Sequence, residues 1–141
     1  MTGLLDGKVI IITGASLGIG AETARLFARE GASLVLSARR AEPLQALAEE
    51  LRDSGAKVAV SPGDVSVAAD VQRLVDTAVE TFGRLDGAVN NAGINQYGRL
   101  DEVSEEDFDR IFQVNVKGVW LCMRAQVRAM TATAGGGAGR G

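Results

Sequence analysis

Thr13-Gly14-Ala15-Ser16-Leu17-Gly18-Ile19-Gly20 follows directly on the aliphatic run Val9 to Ile12, with glycines at spacings of four and two. At a strand-to-helix turn, glycines do three physical jobs. One permits the tight turn, one lets backbone approach a pyrophosphate, and one lets helix and strand pack closely. The helix that opens there presents free N–H groups and the positive end of its dipole to phosphate. An ordinary glycine-rich turn is the alternative, but three glycines in this context favour nucleotide binding. The spacing is not GxGxxG, so it does not by itself select the nucleotide.

Other chemistries are closed to these residues. The sequence has no His, which excludes Ser-His-Asp triads, Cys-His dyads and His-ligated metals. One cysteine, Cys122, excludes an internal disulfide and a Cys-cluster zinc site, so no metal centre is expected. Fifteen Lys and Arg are mixed among 18 Asp and Glu, and a net charge of −3 leaves no basic footprint for nucleic acid. The longest aliphatic run is far short of a membrane span, and Asp6 and Gly7 before it do not suit a signal peptide. Cytoplasm is therefore the default address. At 141 residues, 46% hydrophobic and 23% charged, the chain suits one compact domain.

The elements that must carry the glycine loop alternate along the chain. Lys8–Thr13, Ser33–Ser37, Lys57–Ser61 and Asp86–Asn90 read as strands, the first two almost wholly aliphatic, as in parallel strands covered on both faces. Helices are predicted from Gly18 to Glu30, stopped by Gly31, and from Pro43 to Ser54, closed by Gly55. A third starts after Ser66 as N-cap and buries Val71, Leu74, Val75, Ala78 and Phe82. This cadence implies a doubly wound α/β sheet in the strand order 3-2-1-4. A longer helix is expected from Ser104 to Met130, with Ser104 and Asp107 as a capping box. Its apolar stripe would be Phe108, Ile111, Phe112, Val116, Val119, Trp120 and Met123, with Trp120 and Cys122 as helix packing. Residues 1–130 then form one unit, and 131–141 (TATAGGGAGRG) a flexible tail. The pattern calls for a fifth strand after that tail, which these residues do not supply.

TGASLGIG resembles the TGxxxGxG cofactor loop of the short-chain dehydrogenase/reductase family. The resemblance continues in order through Gly63-Asp64-Val65, Asn90-Asn91-Ala92-Gly93 and Val114-Asn115-Val116, and covers nearly everything before the glycine tail. It implies a Rossmann-like fold, an NAD(P) cofactor and hydride transfer between that cofactor and an alcohol or carbonyl compound. The full-length form is then expected to be a homo-oligomer built on the long helices.

Cofactor contacts are expected from Gly14, Ser16, Leu17, Gly18, Ile19 and Gly20 of the loop. NAD-binding folds place an acid at the end of the second strand for the ribose hydroxyls. Ala38 stands where the resemblance would put it, followed by Arg39 and Arg40. A guanidinium there complements a 2′-phosphate, so NADP(H) is preferred over NAD(H), with Arg39 as clamp and Ser37 as helper. The alternative is that both arginines are solvated loop charges. Leu17 argues the other way, since NADP-preferring relatives often carry a basic residue there. By resemblance Asp64, beside Val65, accepts from the adenine amine, while its plain role would be to cap the following turn. Asn90, Asn91, Ala92 and Gly93 end the fourth strand, where they would both brace the sheet and touch the ribose.

Asn115 lies inside the apolar stripe, so it is expected to be buried and hydrogen-bonded. By resemblance it belongs to an Asn-Ser-Tyr-Lys catalytic tetrad and holds a water in a proton relay. The Tyr would be the general acid/base, its pKa lowered by Lys four residues on. Tyr97 is the only tyrosine, Asp101 follows it at that spacing, and the loop position puts it at the cleft or the surface. The expectation is thus the NADP(H)-binding N-terminal part of such an oxidoreductase, inactive by itself. A catalytically silent dinucleotide sensor is the alternative, favoured by the missing Tyr and Lys and opposed by Asn115. A Rossmann-like methyltransferase leaves Arg39 and the four ordered motifs unexplained.

Overall fold

The computed structural model describes residues 3–134. Strands β1 (Val9–Thr13), β2 (Ser33–Ser37), β3 (Val58–Val60) and β4 (Gly87–Asn90) form one parallel sheet in the order β3-β2-β1-β4. This is the doubly wound arrangement expected from the sequence. All five residues of β1 are buried, and so are four of the five in β2. Side chains alternate between the two faces of a strand, so each face of this sheet has its own core. Ile10, Ile12, Leu34 and Leu36 pack with Leu44, Leu47 and Leu51 on one side. Ile11 and Val35 pack with Val71, Leu74 and Leu121 on the other.

Helices α1 (Gly18–Arg29) and α2 (Ala41–Asp53) cover the first face. Helices α3 (Ala68–Phe82) and α5 (Val119–Thr133) cover the second. The α2 helix starts two residues before Pro43, which still sits in its first turn. Helix α3 buries Val71, Leu74, Val75 and Ala78 as expected, with Phe82 half-buried, but Ser66 is not its cap. Val67 occupies that position without a side-chain bond, because the Ser66 hydroxyl instead donates to Asp64 Oδ1 at 2.7 Å. The start of α3 is tied down by Asp70, whose carboxylate accepts the Asp64 N–H at 2.9 Å.

The expected long helix is interrupted. Helix α4 (Glu105–Phe112) begins at Ser104, whose hydroxyl accepts the Asp107 N–H at 3.1 Å. Six residues of wider π-helical turns, Gln113–Gly118, then lead into α5. The face laid on the sheet is not the expected stripe either. Phe108, Phe112, Val116, Trp120 and Met123 are each more than half exposed, and the Arg124 guanidinium lies over the Trp120 ring, 4.3 Å from its centroid. Val114, Leu121, Cys122 and Ala125 are buried in their place, with Gly118 between them. The chain runs close to its neighbours at Gly118, where a Cβ would lie 2.8 Å from Val65 Cγ2. Cys122 packs in the core as anticipated. Helix α5 continues to Thr133, past the expected start of the tail at 131, and residues 135–141 of that tail lie outside the described residues. Among the described residues no helix is long and apolar enough to cross a membrane.

Candidate functional site

The turn from β1 into α1 has the geometry that its glycines suggest. Gly14 has φ +63° and Gly18 has φ +57°, a backbone region that side chains with a Cβ disfavour. Gly20 serves differently. A Cβ there would lie 2.1 Å from the Gly14 carbonyl oxygen, so helix and turn can touch only without one. Leu17 stands at the N-cap of α1 with no side-chain bond to the helix, which leaves the first N–H groups of α1 open to an outside acceptor.

These groups face a cleft of about 770 Å³ at the carboxyl ends of the strands. All the residues expected to bind cofactor line it except Gly20 and Asn90. Gly14 and Ser16 through Ile19 form one wall, Ser37 and Arg39 a second, and Asp64 with Val65 a third; Asn91, Ala92 and Gly93 close the side nearest β4. Leu17 and Ile19 are 74% and 77% exposed and add apolar surface to the cleft. Arg39 and Arg40 both line it and are exposed, and neither takes part in an ion pair among the described residues.

The asparagines divide their work. Asn91 Nδ2 donates to the Gly14 carbonyl at 3.2 Å, and the Ala92 N–H donates to Thr13 Oγ1 at 3.0 Å, so the end of β4 is tied to the glycine turn. Asn90 turns away from the cleft. Its amide pairs reciprocally with that of Gln126, at 2.9 and 2.8 Å, and its role is to fasten β4 to α5. Asn115 is exposed rather than buried, because the π-helical turns carry it off the sheet-facing side. Its Oδ1 accepts the Ile94 N–H at 2.9 Å, and its Nδ2 donates to the Ile94 carbonyl at 2.8 Å. Both ends of the amide thus hold the loop after β4. Tyr97 of that loop is 86% exposed, at the surface.

Asp64 is the most heavily engaged acid of the cleft. Its Oδ1 accepts both the N–H and the hydroxyl of Ser66, at 2.9 and 2.7 Å, which is the turn-capping role available to it. Its Oδ2 accepts from Arg110 Nη2 at 2.8 Å, while Arg110 Nη1 donates to Ser66 Oγ at 3.0 Å. Partial burial pushes the carboxyl up, but the Ser66 and Arg110 donors outweigh it and hold Asp64 below the usual carboxylate range.

Arg110, Ile94, Asn95, Val114 and Pro43 also line the cleft, though none of them was expected from sequence to bind cofactor. Arg110 carried a usable signal, as the one cation between Arg99 and Lys117, five residues before Asn115. A dinucleotide fits what is here: an uncapped helix N-terminus at its phosphate end, turns that no Cβ obstructs, and a cleft long enough to run from Arg39 to Gly93. Among the described residues no group of three or more His, Cys, Asp or Glu could hold a metal ion.

Comparison with known proteins agrees with this geometry. The short chain dehydrogenase family model matches residues 8–139. An A-factor type gamma-butyrolactone 1'-reductase (1S-forming) of Streptomyces virginiae is 45% identical over 137 residues, covering 96% of this chain and 53% of that protein. An uncharacterized oxidoreductase of Thermotoga maritima is 45% identical over 131 residues, 93% of this chain and 51% of the relative. The crystal structure of a short-chain dehydrogenase/reductase from Burkholderia phymatum in complex with NAD superposes with a TM-score of 0.88 at 40% identity, covering 91% of this chain and 46% of that one. The chain spans about half the length of these relatives. It belongs to the short-chain dehydrogenase/reductase family, of which it forms an N-terminal portion.

Proposed function

We propose that this chain is the dinucleotide-binding portion of an oxidoreductase that interconverts an alcohol and a carbonyl compound and prefers NADP(H) to NAD(H). The observation that carries the cofactor preference is the pairing of an uncapped α1 N-terminus with Arg39, exposed in the same cleft beside an alanine where an acid would serve NAD. The α1 N–H groups take the pyrophosphate, Arg39 with Ser37 takes the 2′-phosphate, and Asp64 meets the adenine. Asn91, Ala92 and Gly93 shape the ribose side. When bound, the nicotinamide supplies or accepts hydride.

Asn115 serves this reaction as a positioning residue, through its two bonds to Ile94. With Tyr97 as the one tyrosine and Asp101 four residues on, the sequence offers no Tyr-x-x-x-Lys, so these 141 residues bind cofactor without reducing carbonyls at an enzyme-like rate. The exposed side chains of Phe108, Phe112, Val116, Trp120 and Met123 support the homo-oligomer that family membership implies. A cytoplasmic setting completes the reading and rests on sequence alone.

Fluorescence titration tests the cofactor preference. NADPH is expected to bind at least about tenfold more tightly than NADH, the worth of one charge-assisted contact. Arg39→Asp is expected to reverse the order. Equal affinities in the parent chain would remove NADP(H) preference, and no binding of either would remove the dinucleotide reading.

A further inference from the structure

We propose that Arg110 is a positioning residue for adenine recognition: by holding Asp64 Oδ2 it fixes the carboxylate that reads the exocyclic amine of the base. The proposal rests on the dinucleotide reading above and adds to it a residue from outside the four recognisable motifs.

The argument starts from how the Asp64 carboxylate is divided. Ser66 is two residues away and takes Oδ1 through its N–H and hydroxyl, which ties one oxygen to the local turn. Oδ2 has no such local partner. Its donor among the described residues is Arg110, 46 positions along the chain on α4. The same guanidinium donates to Ser66 Oγ, so one planar group braces both the acid and the hydroxyl that holds the acid's other oxygen. Arg110 and Asp64 side chains are 33% and 25% exposed, and both line the cleft. The brace therefore stands at the ligand's wall, not in the core behind it.

Each carboxylate oxygen accepts more than one hydrogen bond, so Asp64 keeps capacity for an incoming N–H after Ser66 and Arg110 are served. What Arg110 removes is freedom. A carboxylate held at one oxygen still rotates about its own bond, and one held at both presents its remaining lone pairs in fixed directions. Binding then needs no ordering of this group, which is how preorganisation raises affinity. Arg110 is itself oriented from α4, and the turns that follow α4 are fastened to the loop after β4 by Asn115.

The experiment compares NADP+ with 1,N6-etheno-NADP+, whose modified adenine has no exocyclic N–H donor. Dissociation constants are measured for the parent chain, Arg110→Leu, Arg110→Lys and Asp64→Asn, with circular dichroism to verify the fold. The parent is expected to favour NADP+ by about tenfold, the worth of a hydrogen bond to a charged acceptor. Arg110→Leu should bring that ratio close to one by weakening NADP+ alone, and Arg110→Lys should restore part of it. Arg110→Leu in the Asp64→Asn background should change nothing further. If Arg110→Leu weakens both dinucleotides by one factor, the residue is structural and the proposal fails. It also fails if the parent does not distinguish the two ligands. If the parent binds neither, the dinucleotide reading falls and this proposal with it. Should Arg110→Leu not fold, the Arg110→Lys and Asp64→Asn ratios decide alone, and an unchanged ratio in both overturns the proposal.

Discussion

Gly20→Ala places a side chain where the glycine turn and helix α1 touch. The added Cβ would lie 2.1 Å from the Gly14 carbonyl oxygen and 2.8 Å from both Asn91 Nδ2 and the Gly14 carbonyl carbon. An ordinary carbon-to-oxygen approach is about 3.3 Å or more, so the helix must retreat by roughly 1 Å. Two of those three atoms are backbone and cannot swing aside. Overpacking of this kind costs roughly 1–3 kcal/mol, and alanine's better helix propensity returns about 1 kcal/mol at most. The retreat also stretches the Asn91–Gly14 hydrogen bond, worth about 1 kcal/mol. The expected net loss is about 2 kcal/mol, or about 8 °C in the melting midpoint for a chain of this size. Gly18→Ala supplies the comparison. Nothing lies within 4 Å of a Cβ at Gly18, so only its φ of +57° is penalised, at about 1 kcal/mol. Urea unfolding followed by circular dichroism gives both values. A Gly20→Ala chain as stable as its parent, or more stable than Gly18→Ala, would refute the close-contact argument.

Three further outcomes are expected. Gln126→Leu deprives the Asn90 amide of both its bonds beneath α5 and should cost about 1–3 kcal/mol in urea unfolding; no change would mean that water replaces the pair. Burial pushes the Asp86 carboxyl up, but Arg84 and the Val9 N–H outweigh it, and the folded group titrates below the ordinary carboxylate range. Its contribution is therefore complete above about pH 4 and is lost as pH falls through the lower folded value, so Asp86→Asn should flatten the acid side of the stability profile. An unchanged acid slope would rule that out. The Cys122 thiol is pushed up to about 11 by burial, so it should react with a disulfide reagent slowly in the native chain and rapidly after unfolding in urea. Rapid labelling of native protein would contradict its place in the core.

The sheet was legible because β1 and β2 are buried on both faces, a state that only a continuous aliphatic run satisfies. The glycine turn was legible for a related reason, since positions with positive φ or a neighbouring carbonyl admit almost nothing else. The expected long helix differs both in continuity, since π-helical turns divide it, and in the face it lays on the sheet. Phe108, Phe112, Trp120 and Met123 are among its largest apolar residues, and a hydrophobic pattern alone marks theirs as the buried side. Close packing on α3 and the sheet instead calls for Gly118, Cys122 and Ala125, residues that carry little weight in a hydrophobic pattern. Asn115 went to the wrong environment with them, because a uniform helical period does not anticipate π-helical turns. Ser66 has the composition of a cap, but its hydroxyl is engaged elsewhere, donating to Asp64 and accepting from Arg110, which lies 44 positions away.

The strand order sets a sequence for assembly. β1 lies between a near partner, with Ile10 beside Leu34, and a distant one, with Ile10 beside Gly87. The Val9–Asp86 bond at the start of that second pairing closes a span of 77 residues. Closing so long an open chain costs roughly 1 kcal/mol more entropy than closing the parallel β1–α1–β2 crossover, unless intervening segments have already condensed. The three strands that precede α3 can meet through short crossovers, and β4 docks onto a surface they have built. The same β4 carries Asn91 and Ala92, whose bonds to Gly14 and Thr13 join the glycine turn to the rest of the cleft. The ligand pocket is thus completed by the pairing of highest contact order, and its formation reports that the whole sheet has folded.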